Sequence, residues 1–312
     1  MAKERRSARE TGMKKALIRP AMIVVPLVLG MLLPELSRFG FLIDPLLIAM
    51  LYMVYLQLDL RDLRPLRAHW VILGANLAVG IAAYLLLWLT GSRELALAAF
   101  FIGITPTATA APVIMNLLHG RVGFVVSGFV VTNLGISLAL IPLIPAVTGQ
   151  FDPVFMLRVL RSLLLIMALP LGAALLTRKI VPGAAAWPSR FKMLSLSMWS
   201  VMLLVISANA AKFLRDHREV SPWLVAAIFA LGAVICAVNF SVGALIVPRR
   251  FRREGSQTLG QKNTMFTLSL ALSFASPLAA LGPTFYVICH NTWNACQLFM
   301  YDRKQKKLAE QR

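Results

Sequence analysis

The sequence predicts an all-α polytopic membrane protein with ten transmembrane helices, and its composition and its apolar runs support this fold class. Of the 312 residues, 58% are hydrophobic and only 14% are charged, and the mean hydropathy is +0.74. A soluble domain of this length carries a larger charged fraction. The net charge of +19 does not indicate nucleic-acid binding, because the basic residues lie between apolar runs rather than on one soluble face.

Ten apolar runs have the length of about 20 residues that crosses a bilayer. They cover residues 18–38, 41–60, 69–90, 95–117, 122–147, 154–176, 191–212, 223–247, 257–276 and 281–301. Residues 1–17 form a basic N-terminal segment without a small-residue cleavage site, so no cleaved signal is expected. Residues 302–312 form a predicted tail. The connections are too short for a second soluble domain.

The distribution of basic residues predicts the orientation of these spans. With both termini in the cytoplasm, 24 of the 32 Lys and Arg residues lie on the inner side, as the positive-inside rule requires. We therefore expect an integral protein of the plasma (inner) membrane with cytoplasmic termini. The loop 212–218 fits less well, because it places three positive charges outside. The three cysteines form no CxxC pair, so we expect neither a disulfide nor a zinc site.

The two halves of the chain, residues 18–148 and 149–301, resemble each other. Asn76 and Asn239 lie at matching places in the third and eighth spans, and the fourth and ninth spans are the two that polar residues interrupt. Because each half has five spans, the second half starts from the opposite side of the membrane. This pattern predicts two inverted five-helix repeats, in which interrupted helices at matching positions indicate a binding site near the midplane.

The fourth span is interrupted by Pro106 and Pro112, with Thr107 and Thr109 between them. Each proline removes a backbone donor and crowds the carbonyl four residues earlier. Freed carbonyls inside a bilayer need partners, which threonine hydroxyls or a wet cavity supply. The alternative for this segment alone is a simple proline kink packed by small residues.

The ninth span contains Lys262 between Gln261 and Asn263, followed by Thr264. A cation inside a span is costly and usually functional. The alternative is that Lys262 snorkels to the surface, but the flanking amides favour a polar cavity. The thirteen acidic residues lie in loops, tails or near helix ends, which weakens both a carboxylate proton relay and a carboxylate sodium site. A buried His290 in the tenth span is more often a packing residue than a ligand.

Pro106 with Thr109, Gly260 with Asn263, and the pair His290-Asn291 resemble the bile acid:sodium symporter family, over residues 18–301. The resemblance implies a core of spans 3 to 5 and 8 to 10, a panel of spans 1, 2, 6 and 7, and broken helices 4 and 9 that cross.

The same resemblance implies where sodium ligands would lie, and this sequence departs from the family at most of them. The family's ninth span carries the pattern E-x-G-x-Q-N, and Thr258 and Lys262 occupy its glutamate and glutamine positions. Ala111-Pro112 replaces a Ser-Asn pair of the fourth span, and Asn76 replaces a glutamine of the third. A lysine ammonium provides three donors and a positive charge, so it can take the place of a bound cation.

We therefore expect a secondary transporter that moves a small organic anion by alternating access, with Lys262 in place of sodium. In one variant the transport cycle is coupled to protonation of Lys262. In the other the protein is a facilitator whose site is permanently charged. The alternatives are a conventional sodium-coupled symporter of bile-acid-like anions, an intramembrane enzyme, and a non-transporting receptor. We expect no cofactor and no metal, sodium being doubtful. The expected partners are the small organic anion and the lipid bilayer, and not nucleic acid; the sequence does not indicate an oligomeric state. The candidate substrate and coupling site comprises Asn76, Thr107, Thr109, Thr132, Asn133, Gln261, Lys262, Asn263, Thr264, His290 and Asn291.

Overall fold

The computed structural model describes residues 25–57, 63–218 and 220–310, and within these ranges every regular element is a helix. The predicted basic segment 1–17, residues 18–24 of the first span, residues 58–60 of the second and residues 311–312 of the tail lie outside the described residues. Of residues 192, 196, 302 and 304–310 only the backbone is described.

The first half of the chain contains six α-helices. Residues 25–32 form α1, and a 3-10 helix, Pro34–Leu42, leads directly into α2. The predicted connection at residues 37–40 is therefore helical, which corrects the boundary between the first two spans. The remaining helices are α2 (Ile43–Gln57), α3 (Arg67–Trp88), α4 (Arg93–Ile104), α5 (Ala111–Leu117) and α6 (Val122–Thr148).

The second half contains eight α-helices. A π-helical turn, Leu164–Ala168, joins α7 (Pro153–Leu163) to α8 (Leu169–Ile180), and 3-10 turns precede α9 and α12. The further helices are α9 (Trp187–Arg190), α10 (Lys192–Asp216), α11 (Pro222–Leu245), α12 (Arg252–Gly260), α13 (Thr264–Phe274) and α14 (Pro277–Glu310). Helix α12 begins five residues before the predicted ninth span, and α14 continues through residues 302–310 of the predicted tail.

Six helical stretches in the described ranges are long and apolar enough to cross a membrane. They are Pro34–Gln57, Arg67–Trp88, Val122–Thr148, Pro153–Ile180, Met193–Asp216 and Pro222–Leu245. Many of their large apolar side chains face outward: Leu138 is 69% exposed and Trp223 is 84% exposed. An apolar exterior of this extent is what a lipid environment accommodates and water does not.

Two helix pairs pack so closely that only glycine fits at their contacts. A Cβ atom on Gly103 of α4 would lie 2.6 Å from the Cα of Gly80 in α3. A Cβ atom on Gly243 of α11 would lie 2.4 Å from the carbonyl oxygen of Gly255 in α12. The close approach brings α3 against α4 and α11 against α12, and α4 and α12 are the helices that end at the site described next.

Candidate functional site

The two interrupted helices meet where each loses its helical conformation. The first break, residues 105–110, separates α4 from α5, and the second, residues 261–263, separates α12 from α13. Thr107 and Lys262 pair as an isolated antiparallel bridge. Ala108 N–H donates to the carbonyl of Gln261 at 2.7 Å, and Asn263 N–H donates to the carbonyl of Pro106 at 2.8 Å. Each break therefore supplies backbone partners for the other.

Lys262 lies inside this crossing and is 1% exposed. Its ammonium donates to the side-chain oxygen of Asn76 and, at 3.2 Å, to the carbonyl oxygen of Gly103. The alternative in which Lys262 snorkels to the surface is therefore wrong. Both acceptors belong to the first half of the chain, so the lysine joins the second break to α3 and α4.

A chain of hydroxyl groups fixes the first break. The Thr132 hydroxyl donates to the Thr107 hydroxyl at 2.8 Å, which in turn donates to the carbonyl of Thr258 at 2.6 Å. The amide of Asn133 donates to the carbonyl of Thr107 at 2.9 Å, while its Oδ1 is buried without a hydrogen-bond partner. Thr132 and Asn133 of α6 thus fix Thr107 in the first break, and Thr107 in turn binds the last turn of α12.

The carbonyl groups that the breaks release are bound by two asparagines at matching positions. Asn76 donates directly to the carbonyl of Thr105 at 3.1 Å. Asn239 donates at 3.3 Å to the hydroxyl of Tyr286, which donates at 2.8 Å to the carbonyl of Gly260. Because buried backbone acceptors need partners, these contacts allow both helices to end inside the protein.

A second group of side chains, all amides, lies between α12 and α14. Asn294 donates to the side-chain oxygen of Gln261 and accepts from Gln257 at 3.1 Å, and Gln257 also donates to Gln297 at 2.6 Å. The Oε1 atom of Gln257 is buried and has no partner among the described groups. These amides tie the second break to the polar middle of α14.

The structure does not bring every predicted site residue to the crossing. Asn263 and Thr264 are buried beside Lys262 at the start of α13. Thr109 is only half-buried, in the turn before α5, and Asn291 donates to the carbonyl of Val287 in its own helix at 2.7 Å. His290 is buried against the ring of Tyr286, at 5.5 Å between centroids, with no partner for Nδ1.

Several residues of the crossing are absent from the candidate site predicted above, although the sequence singles out Asn239 as the match of Asn76 and Thr258 as a family ligand position. The residues outside that predicted site are Gly80, Gly103, Thr105, Thr258, Asn239, Gln257, Thr267, Tyr286 and Asn294, and Thr105 and Thr267 share a hydrogen bond of 2.7 Å. A signal for part of this set exists in the sequence: Asn-x-x-Val-Gly occurs at residues 76–80 and again at 239–243. In both copies the asparagine helps to bind a carbonyl group at a break, directly for Asn76 and through Tyr286 for Asn239, and the glycine makes the close helix contact.

The crossing is closely packed. Lys262 is 1% exposed and its acceptors are protein groups, so protein encloses it in this conformation where the sequence predicts a polar cavity. Within the described ranges, no group of three His, Cys, Asp or Glu side chains is arranged to hold a metal ion. Among the described residues, the basic side chain at the crossing is that of Lys262.

Comparison with known proteins identifies one family. The sequence model of the sodium bile acid symporter family matches residues 44–217, which is more than half of the chain. The matched segment includes the first break and ends before the second. A comparison with curated proteins found no match.

Proposed function

The chain belongs to the sodium bile acid symporter family, and from this premise we propose that it is a secondary transporter of a small organic anion in which Lys262 replaces a bound sodium ion. The observation that carries the proposal is the buried ammonium at the crossing, bound by Asn76 and the carbonyl of Gly103. Because the family is a transporter family, an intramembrane enzyme and a receptor are less well supported as functions of this site than a transporter is.

Replacement of sodium is supported by the chemistry of the ligand positions. Sodium binds oxygen atoms, and an ammonium donates hydrogen bonds to the same kind of atom while carrying the same charge. Ala111, at one of the positions where the family resemblance implies a ligand, offers no side-chain oxygen. Thr258, at the glutamate position, donates its hydroxyl to the carbonyl of Glu254 at 2.7 Å.

Transport by alternating access is supported by the symmetry of the crossing. The two backbone bonds of the bridge exchange under a local two-fold rotation, with Pro106 corresponding to Gln261 and Ala108 to Asn263. The repeated Asn-x-x-Val-Gly motif has the same relation. We propose two inverted five-helix repeats with a core and a panel, since repeats of this kind let one unit move against the other around a central site.

An anionic substrate is supported by the electrostatics of the crossing. Two helices, α4 and α12, end at the crossing and two, α5 and α13, begin there, so their opposite partial charges offset each other and the ammonium supplies the net positive charge. The described side chains at the crossing include no carboxylate that would balance this charge. A small carboxylate is the substrate class that these groups favour.

The proposal is tested by uptake into proteoliposomes. A panel containing a bile acid and short mono- and dicarboxylates is screened by thermal shift, and any binder is then used for uptake with and without an inward sodium gradient. We expect uptake that a sodium gradient does not stimulate, and that Lys262→Gln impairs. Lys212→Gln is the control, because Lys212 is exposed at the end of α10.

A conventional sodium-coupled symporter is the second candidate, and one observation favours it. The Oδ1 atom of Asn133 is buried next to the Thr107–Thr132 pair without a partner, as a cation ligand would be. Strong stimulation of uptake by sodium, retained in Lys262→Gln, would establish this second candidate and exclude replacement by lysine.

A further inference from the structure

A recess of about 460 Å³ lies on the face of the molecule where α5 and α11 end, at the opposite end of α12 from the crossing. We propose that this basic recess binds the phosphate group of an anionic ligand. Its lining comes from two segments, the α5–α6 loop and the connection from α11 into α12: His119, Gly120, Arg121, Arg249, Arg250, Arg252, Arg253 and Glu254.

The charge of the basic recess is strongly unbalanced. Five of its eight lining residues are arginines and one, Glu254, is acidic. Glu254 is buried, and its Oε1 accepts the backbone N–H of Arg121 at 3.0 Å. Its carboxylate therefore anchors the α5–α6 loop to α12. Among the described side chains that line the recess, the other charged groups are all guanidiniums, whose planar set of donors matches the oxygens of a phosphate.

Aromatic rings hold several of these guanidiniums in place. The Cζ atoms of Arg121 and Arg250 lie 5.0 and 4.9 Å from the centroid of the buried Phe251 ring, and that of Arg253 lies 5.6 Å from the Tyr301 ring. Phe251 stacks in turn on Phe124, with 4.6 Å between centroids. The rings reduce the freedom of the arginines before an anion arrives, and their apolar surface strengthens each charge interaction.

The position of the recess indicates how a phosphate would reach it. It lies beside the ends of α6 and α11, two helices that qualify as membrane spans, and therefore near the edge of the apolar surface. Basic residues flanking spans are expected for topology alone, but topology does not require that two loops more than 120 residues apart converge on one recess. Basic pockets at this level bind lipid headgroups, and a soluble phosphate ester presents the same group.

A thermal-unfolding experiment on the purified full chain in non-ionic detergent tests the proposal. The probes are phosphatidic acid, phosphatidylcholine as the zwitterionic comparison of no net charge, and pyrophosphate against potassium chloride of equal ionic strength. The variants are Arg250→Gln/Arg253→Gln and, as a control with the same loss of charge, Arg161→Gln/Arg190→Gln, whose arginines are exposed on other helices. The readout is binding, so the result does not depend on transport.

We expect phosphatidic acid to raise the Tm by about 5 °C at roughly 100 times its Kd, with the rise kept in the control and lost in the recess variant. A rise with phosphatidic acid alone supports a lipid headgroup, and a rise with pyrophosphate as well supports a soluble phosphate compound. No rise with either probe, or an equal rise in the recess variant, overturns the proposal. Should the double variant not fold, the native protein still decides: a Tm rise undiminished between about 0.05 and 0.5 M salt contradicts an electrostatic site.

Discussion

Lys262 has a long side chain that is enclosed by protein. From the sequence alone, the same side chain could also have reached the surface. Removing an ammonium from water costs several kcal/mol even after relaxation of the protein. Hydrogen bonds to charged groups contribute about 1.5–3 kcal/mol each, and two such bonds are made, to Asn76 and to the carbonyl of Gly103. The third N–H of the ammonium has no acceptor among the described residues, which leaves a donor for the proposed anion in a conformation that opens the crossing.

Loss of the ammonium is expected to destabilise the crossing as well as to impair transport. Lys262→Met keeps the length of the side chain but leaves two buried acceptors without a donor, at a cost of about 2–4 kcal/mol. Lys262→Gln keeps an amide donor and should cost less. Thermal unfolding of both variants beside Lys212→Gln measures the difference. Native-like stability of Lys262→Met would show that the acceptors find other donors, and hence that the lysine is dispensable for the fold.

Asn76 is expected to contribute more to stability than Asn291, and both can be tested by replacement with alanine. Its amide bonds the carbonyl of Thr105 and its oxygen accepts from Lys262, whereas Asn291 bonds its own helix. Asn76→Ala should therefore lower the free energy of unfolding by about 2–3 kcal/mol, and Asn291→Ala by less than about 1 kcal/mol. Denaturant or thermal unfolding compares the two variants. Equal losses would contradict the role assigned to Asn76 at the crossing.

The site residues that could be predicted are those whose chemistry is unusual inside a span. Lys262, Pro106 and the flanking amides stand out in any apolar run, and the breaks lie where they were placed. Thr109 and Asn291 were chosen by the same criterion but do not reach the crossing. Which polar side chain points inward depends on the rotation of each helix, and packing against neighbouring helices sets that rotation. Tyr286 was missed because its role depends on Asn239, 47 residues earlier.

At the scale of the element, glycine contacts determine where the breaks can meet. Gly80 lies four residues after Asn76, and Gly243 lies four residues after Asn239. One turn of helix therefore carries both the close contact and the asparagine that serves a break. Such a contact is invisible in one sequence, because a glycine in a helix shows its function only when the opposing backbone is known. The repeated Asn-x-x-Val-Gly motif is the exception, since repetition at matching positions marks it.

Gly80→Ala is expected to separate α3 from α4. The new Cβ would lie 2.8 Å from the backbone nitrogen of Ile104, which cannot move without displacing the end of α4 and the carbonyl groups around Lys262. The expected cost is about 1–3 kcal/mol, as for other overpacked cores. Gly74→Ala in the same helix is the control: nothing lies within 4 Å of its Cβ, so the higher helix propensity of alanine should leave stability equal or raised. Thermal unfolding checks the pair, and equal behaviour would contradict the close contact.

At the scale of the whole molecule, the two breaks help to explain why fewer helical stretches qualify as spans than the sequence predicts. Six stretches of the described chain qualify by length and composition. The pairs α4–α5 and α12–α13 do not qualify, because each is divided by its break, and α14 carries several polar residues. The predicted first span, residues 18–38, lies partly outside the described residues, so ten spans remain a prediction. Contacts between loops agree with it: Arg93 bonds Thr148 and Glu94 bonds Ser276 on one face, while Arg121 bonds Glu254 on the other.

The orientation predicted from the basic residues is open to a direct test. Ser221 and Arg250 are both exposed and lie at opposite ends of α11. The background for the test replaces Cys289 and Cys296 by alanine and keeps Cys236, which is buried. In intact bacterial cells, a membrane-impermeant maleimide should label Ser221→Cys, and Arg250→Cys only after permeabilisation.

The segment 212–218, predicted as a loop, contains the last residues of α10, and its charges make this experiment informative. Its basic residues oppose the positive-inside rule in the predicted orientation, but Arg215 pairs with Glu35 at 3.1 Å, which joins the end of α10 to the 3-10 helix Pro34–Leu42 on the same face. If that face is outside, the four arginines at 249–253 lie in the cytoplasm, next to the anionic leaflet that the basic recess would contact. Labelling of Arg250→Cys in intact cells would show that the orientation is the opposite of the predicted one and that the basic recess faces outside.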